Sequence, residues 1–292
     1  MHSSSFFRAF HSSALLLSSA LLLLASTEVK SEEPNDENSG LPLWELGAGI
    51  GVATTPHYPA SSGSRTRALP IPYVIYRGEF LRAGDGSLIS GRLFNSDRLE
   101  LDISLNGSFD ADSDDVDIRR GMPDLGLLLE VGPELEWRLN DPENDALTVK
   151  LELPLRSVIE INDSDIHSQG WIFNPELELE WNDVFSPDTQ VSISLDAAWA
   201  NERLSDYFYS VPDEFQTAFR PGFEAEAGLL QTGLSLDFKQ RRGHRLAVAG
   251  IKYHNYSGAE NSNSPLFQSN NGWTVYLGVV WSLWQSERRV AP

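Results

Sequence analysis

Apolar and polar residues alternate with a period of two along most of the chain after Leu43. In one such run, Leu99, Leu101 and Ile103 alternate with Glu100 and Asp102. The same alternation recurs in the segments 43–52, 97–107, 125–139, 147–157, 171–181, 191–199, 232–239 and 273–284. A period of two is typical of β-strands whose two faces meet different surroundings. The pattern therefore predicts an all-β fold.

The length of these strands and the placement of tryptophan predict that the strands cross a membrane. The alternating runs cover about 10 residues or more, which is what a tilted strand needs to span a bilayer. All eight tryptophans fall on predicted strands, mostly near an end, as in the aromatic girdles of transmembrane barrels. The prediction is a transmembrane antiparallel up-and-down β-barrel of about 10–12 strands. A soluble barrel or sandwich, with the apolar face inward, is the alternative.

The connections between predicted strands alternate between long and short, as outer-membrane barrels prefer. Counted back from a last strand that runs towards the periplasm, the long outer loops are 54–67, 110–123, 201–217 and 256–271, with a medium loop at 161–168. The short inner turns are 140–145, 182–187 and 240–243. Residues 84–97 form either an extended inner turn or an extra hairpin, which decides between ten and twelve strands. A change of parity near 228–230 predicts a bulge or a break.

The two ends of the chain are expected to lie outside the barrel. Residues 14–25 form a short apolar run after Arg8, which is the pattern of a cleaved secretory signal peptide, assigned to 1–31. An acidic, flexible lead-in follows at 32–42. The barrel then covers 43–284, and 285–292 form a C-terminal tail.

Composition narrows the range of functions. The chain has 292 residues, a formal net charge of −20 and no cysteine. Nucleic-acid binding is excluded because it needs a basic surface, and thiolate chemistry and disulfides are excluded as well. No nucleophile, phosphate-binding or zinc motif is present. An aspartate-rich run at 110–117 lacks the Gly and Glu that an EF-hand requires. We therefore expect no enzyme activity, no metal site and no cofactor.

The polar face of the strands is predicted to line the lumen, and it is mainly acidic. The candidate lumen residues are Glu130, Glu134, Glu136, Glu176, Glu178 and Glu180. Such a lumen would either attract cations or be filled by salt bridges and water without conducting. Both interpretations remain open at about ten strands.

A second set of charged residues is predicted near the inner rim of the barrel. The candidates are Arg77, Glu79, Arg82, Arg92, Asp97 and Arg98. Salt bridges of these arginines with Glu79, Asp85 and Asp97 are favoured over a binding site.

Four blocks carry a resemblance to a known family: LPLWELGAGIGVATTPHYPAS, RALPIPYVIYRGEFLRA, LFNSDRLELDISLNGSF and GMPDLGLLLEVGPELEWRL. In their order and spacing they resemble the MipA/OmpV family of outer-membrane proteins. The resemblance implies a barrel in the Gram-negative outer membrane, in contact with lipid and lipopolysaccharide. It also implies a scaffold that brings a murein lytic transglycosylase together with a bifunctional murein synthase. It supplies no catalytic residues.

The expected contact surface of such a scaffold is the set of inner turns at 84–97, 140–145, 182–187 and 240–243. Two other functions remain open. One is a narrow cation-favouring channel or receptor for small cationic solutes, and the other is a surface adhesin that uses loops 201–217 and 256–271.

Overall fold

A computed structural model describes residues 40–77, 82–83, 91–108, 110–144, 146–162 and 165–290. Its strands are β1 Leu41–Pro42, β2 Trp44–Pro56, β3 Ser64–Arg77, β4 Arg82–Ala83, β5 Gly91–Asn95, β6 Leu99–Ser108, β7 Leu127–Arg138, β8 Leu147–Asn162, β9 Asp165–Phe173, β10 Glu176–Asn182, β11 Thr189–Ala200, β12 Gly228–Arg242, β13 Arg245–Asn255, β14 Asn271–Gln285 and β15 Arg289–Val290. The helix α1 is Glu202–Tyr209, and 3₁₀ turns occur at Ser113–Asp115, Asp117–Arg119 and Asp213–Phe215. Within these ranges, no helix is both long and apolar enough to cross a membrane.

Antiparallel pairing joins the strands in the order β4-β3-β2-β14-β13-β12-β11-β10-β8-β7-β6-β5. β9 continues the position of β10, because both pair with β8 and β11. The end strands β4 and β5 contact each other, so the sheet curves round and encloses a lumen. The wall consists of ten long strands, with β9 and β10 counted as one, and the two short strands β4 and β5. This confirms the predicted up-and-down barrel of 10–12 strands.

The two faces of the wall carry different residues. Apolar side chains such as Ile50 and Leu195 are more than half exposed on the outside, where lipid would cover them. Trp199 and Trp273 lie towards the outer ends of their strands, Trp171 lies opposite Ser157 in the outer part of β8, and Trp137, Trp281 and Trp284 lie towards the inner ends. This arrangement places the apolar stripe outside the sheet, whereas a soluble barrel would bury it at the centre.

Several connections differ from the predicted ones because strands continue beyond the apolar part of their sequence. β2 and β3 extend the first hairpin, so its outer loop is 57–63 and not 54–67. β8 and β9 run through the predicted medium loop at 161–168. β12 continues to Arg242, which shortens the predicted turn 240–243 to two residues, 243–244. The predicted irregularity at 228–230 is confirmed: Leu230 is an extra residue between the partners of Ala198 and Trp199.

The two ends of the described chain meet below the barrel. Leu41 and Pro42 pair with Val290 and Arg289 to form a two-stranded sheet. The lead-in and the tail therefore contribute a strand each, which the sequence pattern does not predict. The signal peptide assigned to 1–31 lies outside the described residues.

The largest apolar core lies inside the outer end of the lumen. We call the segments 56–63, 110–126, 201–227 and 256–270 the outer cap. Tyr58, Val116, Tyr209 and Tyr256 of the cap pack with the lumen-facing Leu128 and other residues of the wall. The outer end of the lumen thus contains apolar side chains of the cap and the wall, whereas the alternation predicts a polar face towards the lumen. The loops are long enough to fold inward and bury their apolar residues there.

Candidate functional site

The middle of the lumen holds a cavity of about 680 Å³, which we call the acidic chamber. Nine carboxylate side chains and four cationic side chains line it. Five of the six predicted lumen glutamates are among them: Glu134, Glu136, Glu176, Glu178 and Glu180. They lie here because the polar positions of β7 and β10 point inward.

Two cations on β8 each sit between two of the carboxylates. The Nζ of Lys150 is 3.3 Å from Glu178 and 4.0 Å from Glu136. Arg156 contacts Glu134 at 2.5 Å and Glu130 at 3.9 Å, and it donates a hydrogen bond to Ser104 at 2.8 Å. These contacts cross from strand to strand and partly neutralise the wall. The chamber keeps an excess of negative charge, which attracts cations.

A second cavity, the outer chamber, has a volume of about 550 Å³ and lies between the acidic chamber and the outer cap. Asn106, Asn174, Lys252 and Tyr276 line both cavities, so the two are adjacent. The sixth predicted glutamate, Glu130, belongs to the outer chamber. Its other walls are mainly apolar and include Leu128, Val158, Ala198, Leu204, Phe208 and Leu230. A volume and lining of this kind are typical of small-molecule sites.

Tyr209 joins three segments of the outer cap. Its side chain is fully buried, and its hydroxyl donates to the carbonyl oxygen of Pro59 at 3.1 Å. Its own carbonyl oxygen accepts from the hydroxyl of Ser264 at 2.6 Å. The rings of Phe208 and Phe267 lie beside it. One residue thereby fixes α1 against the segments 56–63 and 256–270.

Two buried arginines hold the remaining cap segments through backbone carbonyl groups. Arg119 donates to the carbonyl oxygens of Phe208 at 3.4 Å and Pro123 at 3.3 Å, and its guanidinium lies 5.6 Å from the ring centre of Tyr58. Arg220 donates to the carbonyl oxygen of Ile118 at 2.7 Å. Both side chains donate hydrogen bonds to backbone carbonyl oxygens of irregular segments inside the cap. Water has little access there, so these carbonyl groups need a partner from the protein.

A charged network crosses the inner end of the lumen. Glu45 on β2 contacts Arg77 at 2.7 Å and Arg241 on β12 at 3.4 Å. Arg241 also donates to the hydroxyl of Tyr73 at 2.8 Å. Arg77 thus lies at the inner end of the lumen with Glu45 as its partner, and the predicted partners Glu79 and Asp85 lie outside the described residues.

The other predicted rim residues lie on several elements of the inner part of the wall, as far as the chain is described. Arg82 lies in β4 opposite Arg77, and Arg92 lies in β5 opposite Asp102. Asp97 and Arg98 are exposed at the turn before β6. Glu79 lies outside the described residues.

The sequence of this barrel matches one family model, described as MltA-interacting protein MipA, over residues 48–283. This match covers most of the chain. The chain belongs to the MipA family. It is a β-barrel protein of the Gram-negative outer membrane, as the resemblance predicts. No curated protein matches the chain.

Three solved structures that are similar to this MipA-family chain are distant from it in sequence. An outer membrane channel from Pseudomonas putida F1 is 11% identical, with a TM-score of 0.45, and covers 86% of this chain and 99% of its own. The Pseudomonas putida toluene transporter TodX is 9% identical, with a TM-score of 0.34, over 84% and 89% of the two chains. Outer membrane phospholipase A from Escherichia coli is 10% identical, with a TM-score of 0.31, over 86% and 94%.

The alternation of apolar and polar residues does not predict the outer cap of this MipA-family barrel. Arg119 and Arg220 lie in segments without periodicity, which predict solvated loops, and Tyr209 ends a short helix within the predicted loop 201–217. The aromatic residues at 207–209, with Leu204 four residues before Phe208, are the signal that could have indicated burial. Long loops rich in such residues need a buried surface, and the lumen provides it.

An alkaline titration should report on the cap. Burial raises the pKa of Tyr58 and of Tyr256 to about 12, because the phenolate is poorly solvated there. Both pKa values lie above those of an unfolded chain, near 10. Their stabilising contribution is therefore complete below pH 10 and is lost as the pH rises to about 12, by roughly 2–3 kcal/mol each. Absorbance at 295 nm should show these phenols titrating late.

The variants Tyr58→Phe and Tyr256→Phe provide the control for this titration. Each variant lacks one of the two late-titrating phenols, so the absorbance change at high pH should be smaller. The pH midpoint of the remaining absorbance change should stay the same. An unchanged late component in the double variant would contradict the assignment.

Proposed function

We propose that this protein is a non-enzymatic scaffold of the outer membrane, which brings a murein lytic transglycosylase together with a bifunctional murein synthase. The observation that carries the proposal is membership of a family described by its interaction with MltA. Murein lies on the periplasmic side of the outer membrane, so the partners must dock on the inner rim of the barrel.

The geometry supports docking from the periplasm. The outer cap occupies the extracellular end of the lumen, while the inner end presents short turns and the small sheet of β1 and β15. One inner turn, 183–188, carries an apolar side chain that is almost completely exposed: Phe185 is 92% exposed. Exposed aromatic residues of this kind are frequent anchors of protein interfaces.

The backbone of this turn has an unusual conformation, which a local hydrogen bond supports. Asp183, Phe185 and Asp188 all have positive φ angles, between 57° and 67°. Such angles are uncommon for residues other than glycine, and for a bulky side chain they indicate a constrained turn. Asp183 accepts a hydrogen bond from the backbone N–H of Asp188 at 2.8 Å. The turn therefore exposes the Phe185 side chain from a constrained backbone.

Replacing Phe185 with asparagine should weaken capture of the lytic transglycosylase at least 30-fold. Asparagine removes the apolar ring and tolerates a positive φ, so the barrel itself should fold normally. The magnitude corresponds to loss of one interface anchor worth about 2 kcal/mol. The measurement is binding of the purified lytic transglycosylase to the mature chain reconstituted in lipid vesicles.

The matched control is Phe219→Asn. Phe219 is 90% exposed in an outer-cap turn, on the opposite side of the membrane, so its replacement should leave capture unchanged. Equal capture by both variants and the unmodified barrel would argue against the inner-turn surface. Absence of capture by the unmodified barrel would refute the scaffold itself.

A receptor for small cationic solutes is the second candidate function, and the excess of carboxylates in the acidic chamber favours it. It does not require a periplasmic protein partner. Saturable binding of spermidine by a barrel that fails to capture the murein enzymes would favour this function over the scaffold.

A further inference from the structure

The outer chamber offers an enclosed, largely apolar surface next to the acidic chamber. Its volume of about 550 Å³ is in the range of small-molecule sites. The wall contributes Leu128, Val158 and Leu230, and α1 contributes Leu204 and Phe208. The aromatic rings on the cap side are those of Tyr58, Tyr207, Phe208 and Tyr256. Such a surface suits an apolar body, and the rings suit an aromatic one.

The outer chamber also carries two charged side chains among the described residues, Glu130 and Lys252, and both are paired. Glu130 lies 3.9 Å from Arg156 and accepts a hydrogen bond from Asn106 at 3.4 Å. The Nζ of Lys252 lies 2.6 Å from the carboxylate of Asp196. A ligand therefore does not have to supply a partner for either charge.

Several uncharged polar groups of the outer chamber have partners as well. The ring nitrogens of His254 lie 3.1 Å from Oε1 of Gln231 and 2.9 Å from Oγ1 of Thr274. The hydroxyl of Tyr207 donates to Glu160 at 2.9 Å. These polar side chains are satisfied within the protein, so an apolar body beside them leaves few hydrogen bonds unmade.

Five carboxylate residues form one row across neighbouring strands of the wall, which we call the carboxylate row. Cross-strand pairing places them directly opposite one another in the order Glu100, Glu136, Glu152, Glu176 and Asp196, on β6, β7, β8, β10 and β11. The first four line the acidic chamber. Like charges directly opposite each other on one face of a sheet repel, so a bound cation would stabilise this part of the wall.

The cations of the wall leave the middle of the carboxylate row uncompensated. Lys150 lies 4.0 Å from Glu136, and Lys252 pairs with Asp196. Among the described residues, no lysine or arginine nitrogen lies within 4.0 Å of the carboxylate of Glu152 or Glu176. Negative charge is therefore available to a ligand at these two residues.

Asn174 connects the middle of the row to the outer chamber. It lines both cavities, and Glu176 follows it two positions later in the chain. Two residues of extended chain span about 7 Å. One small molecule can therefore contact Glu176 and place the rest of its structure in the outer chamber.

We propose that the lumen binds an amphipathic cation, a molecule with one ammonium group on an apolar, aromatic body. The ammonium lies against Glu152 and Glu176, and the body occupies the outer chamber. This inference rests on the receptor function proposed above and names its class of solute. It is independent of the scaffold function.

Three probes that differ in one feature each test the proposal on the mature chain in lipid nanodiscs. Phenylbutylamine has the ammonium and the ring, butylamine lacks the ring, and phenylbutanol has a hydroxyl in place of the ammonium. Equilibrium dialysis measures binding, and empty nanodiscs correct for partition into lipid. Phenylbutylamine should bind about 10-fold or more tightly than either of the other probes, because only it uses both chambers.

Two variants should separate the contributions of the chambers. Glu152→Gln with Glu176→Gln keeps the shape of both side chains, and it should weaken phenylbutylamine about 10-fold and leave phenylbutanol unchanged. Val158→Thr places a hydroxyl in the outer chamber, and it should weaken both ring-bearing probes about 3-fold and leave butylamine unchanged.

The matched control for the glutamate variant is Glu143→Gln with Glu287→Gln. Both residues are exposed, and neither lines the acidic chamber, so the same change of net charge should leave the binding of phenylbutylamine unchanged. Heat-dependent gel mobility identifies any variant that does not fold, in which case the three probes on the unmodified barrel decide.

Two results would overturn this inference alone. One is saturable binding of spermidine together with equal binding of phenylbutylamine and butylamine, since the receptor would then ignore the apolar body. The other is binding of phenylbutylamine that the folded glutamate variant does not weaken. If neither spermidine nor phenylbutylamine bound saturably, the receptor function would fall with it.

Discussion

Replacing Ile193 with arginine is expected to destabilise the barrel in lipid vesicles by about 2–4 kcal/mol, as charged residues do on the lipid face near the bilayer centre. Ile193 lies in the middle part of β11, opposite Leu179 on β10 and Leu236 on β12. It is exposed on the outside of the wall. The guanidinium would there have to enter hydrocarbon or pull water into it. Reversible unfolding by urea in vesicles measures the loss.

The preceding residue supplies the matched control. Ser192 lies on the same strand and lines the acidic chamber, opposite Asp237 and Glu180. An arginine at this position would find carboxylates and water, so Ser192→Arg should change the free energy of unfolding by less than about 1 kcal/mol. Equal losses in both variants would show that the apolar face of β11 does not meet lipid.

Replacing Tyr209 with alanine is expected to open the outer cap while the barrel stays folded. The lost packing of a buried aromatic ring costs about 3–5 kcal/mol, and the lost hydrogen bond to Pro59 adds to it. Because these contacts lie within the cap, the open population should rise by roughly 10²–10⁴-fold. Limited proteolysis of the outer loops in vesicles should report that rise, with the heat-dependent gel mobility of the barrel unchanged.

Tyr209→Phe separates packing from hydrogen bonding in this test. It keeps the ring and loses only the hydroxyl, so it should cost about 1 kcal/mol and raise the cleavage rate only about 5-fold. Similar cleavage rates for the alanine and phenylalanine variants would show that the ring does not hold the cap. Cleavage within the strands would show instead that the cap and the barrel unfold together.

The candidate lumen residues illustrate how far the sequence pattern reaches. Glu176, Glu178 and Glu180 follow one another at every second position of β10, so their common inward direction is predictable from the period of a strand alone. Their cationic partner cannot be predicted in this way, because Lys150 contacts Glu178 from β8, which lies beside β10 only in the folded wall. Arg77 shows the same limit: its partner Glu45 lies 32 residues earlier in the chain.

Periodicity along the chain determines which residues form strands and which face of each strand is apolar, because every second side chain of a strand points the same way. It also determines the barrel, since apolar outward faces need lipid and open strand edges need partners. The tertiary structure decides where the long loops go, because their burial depends on the space inside the closed wall. It alone shows that the outer end of the lumen holds an apolar core, that Phe185 is exposed in the turn 183–188 and that Glu45 pairs with Arg77 and Arg241.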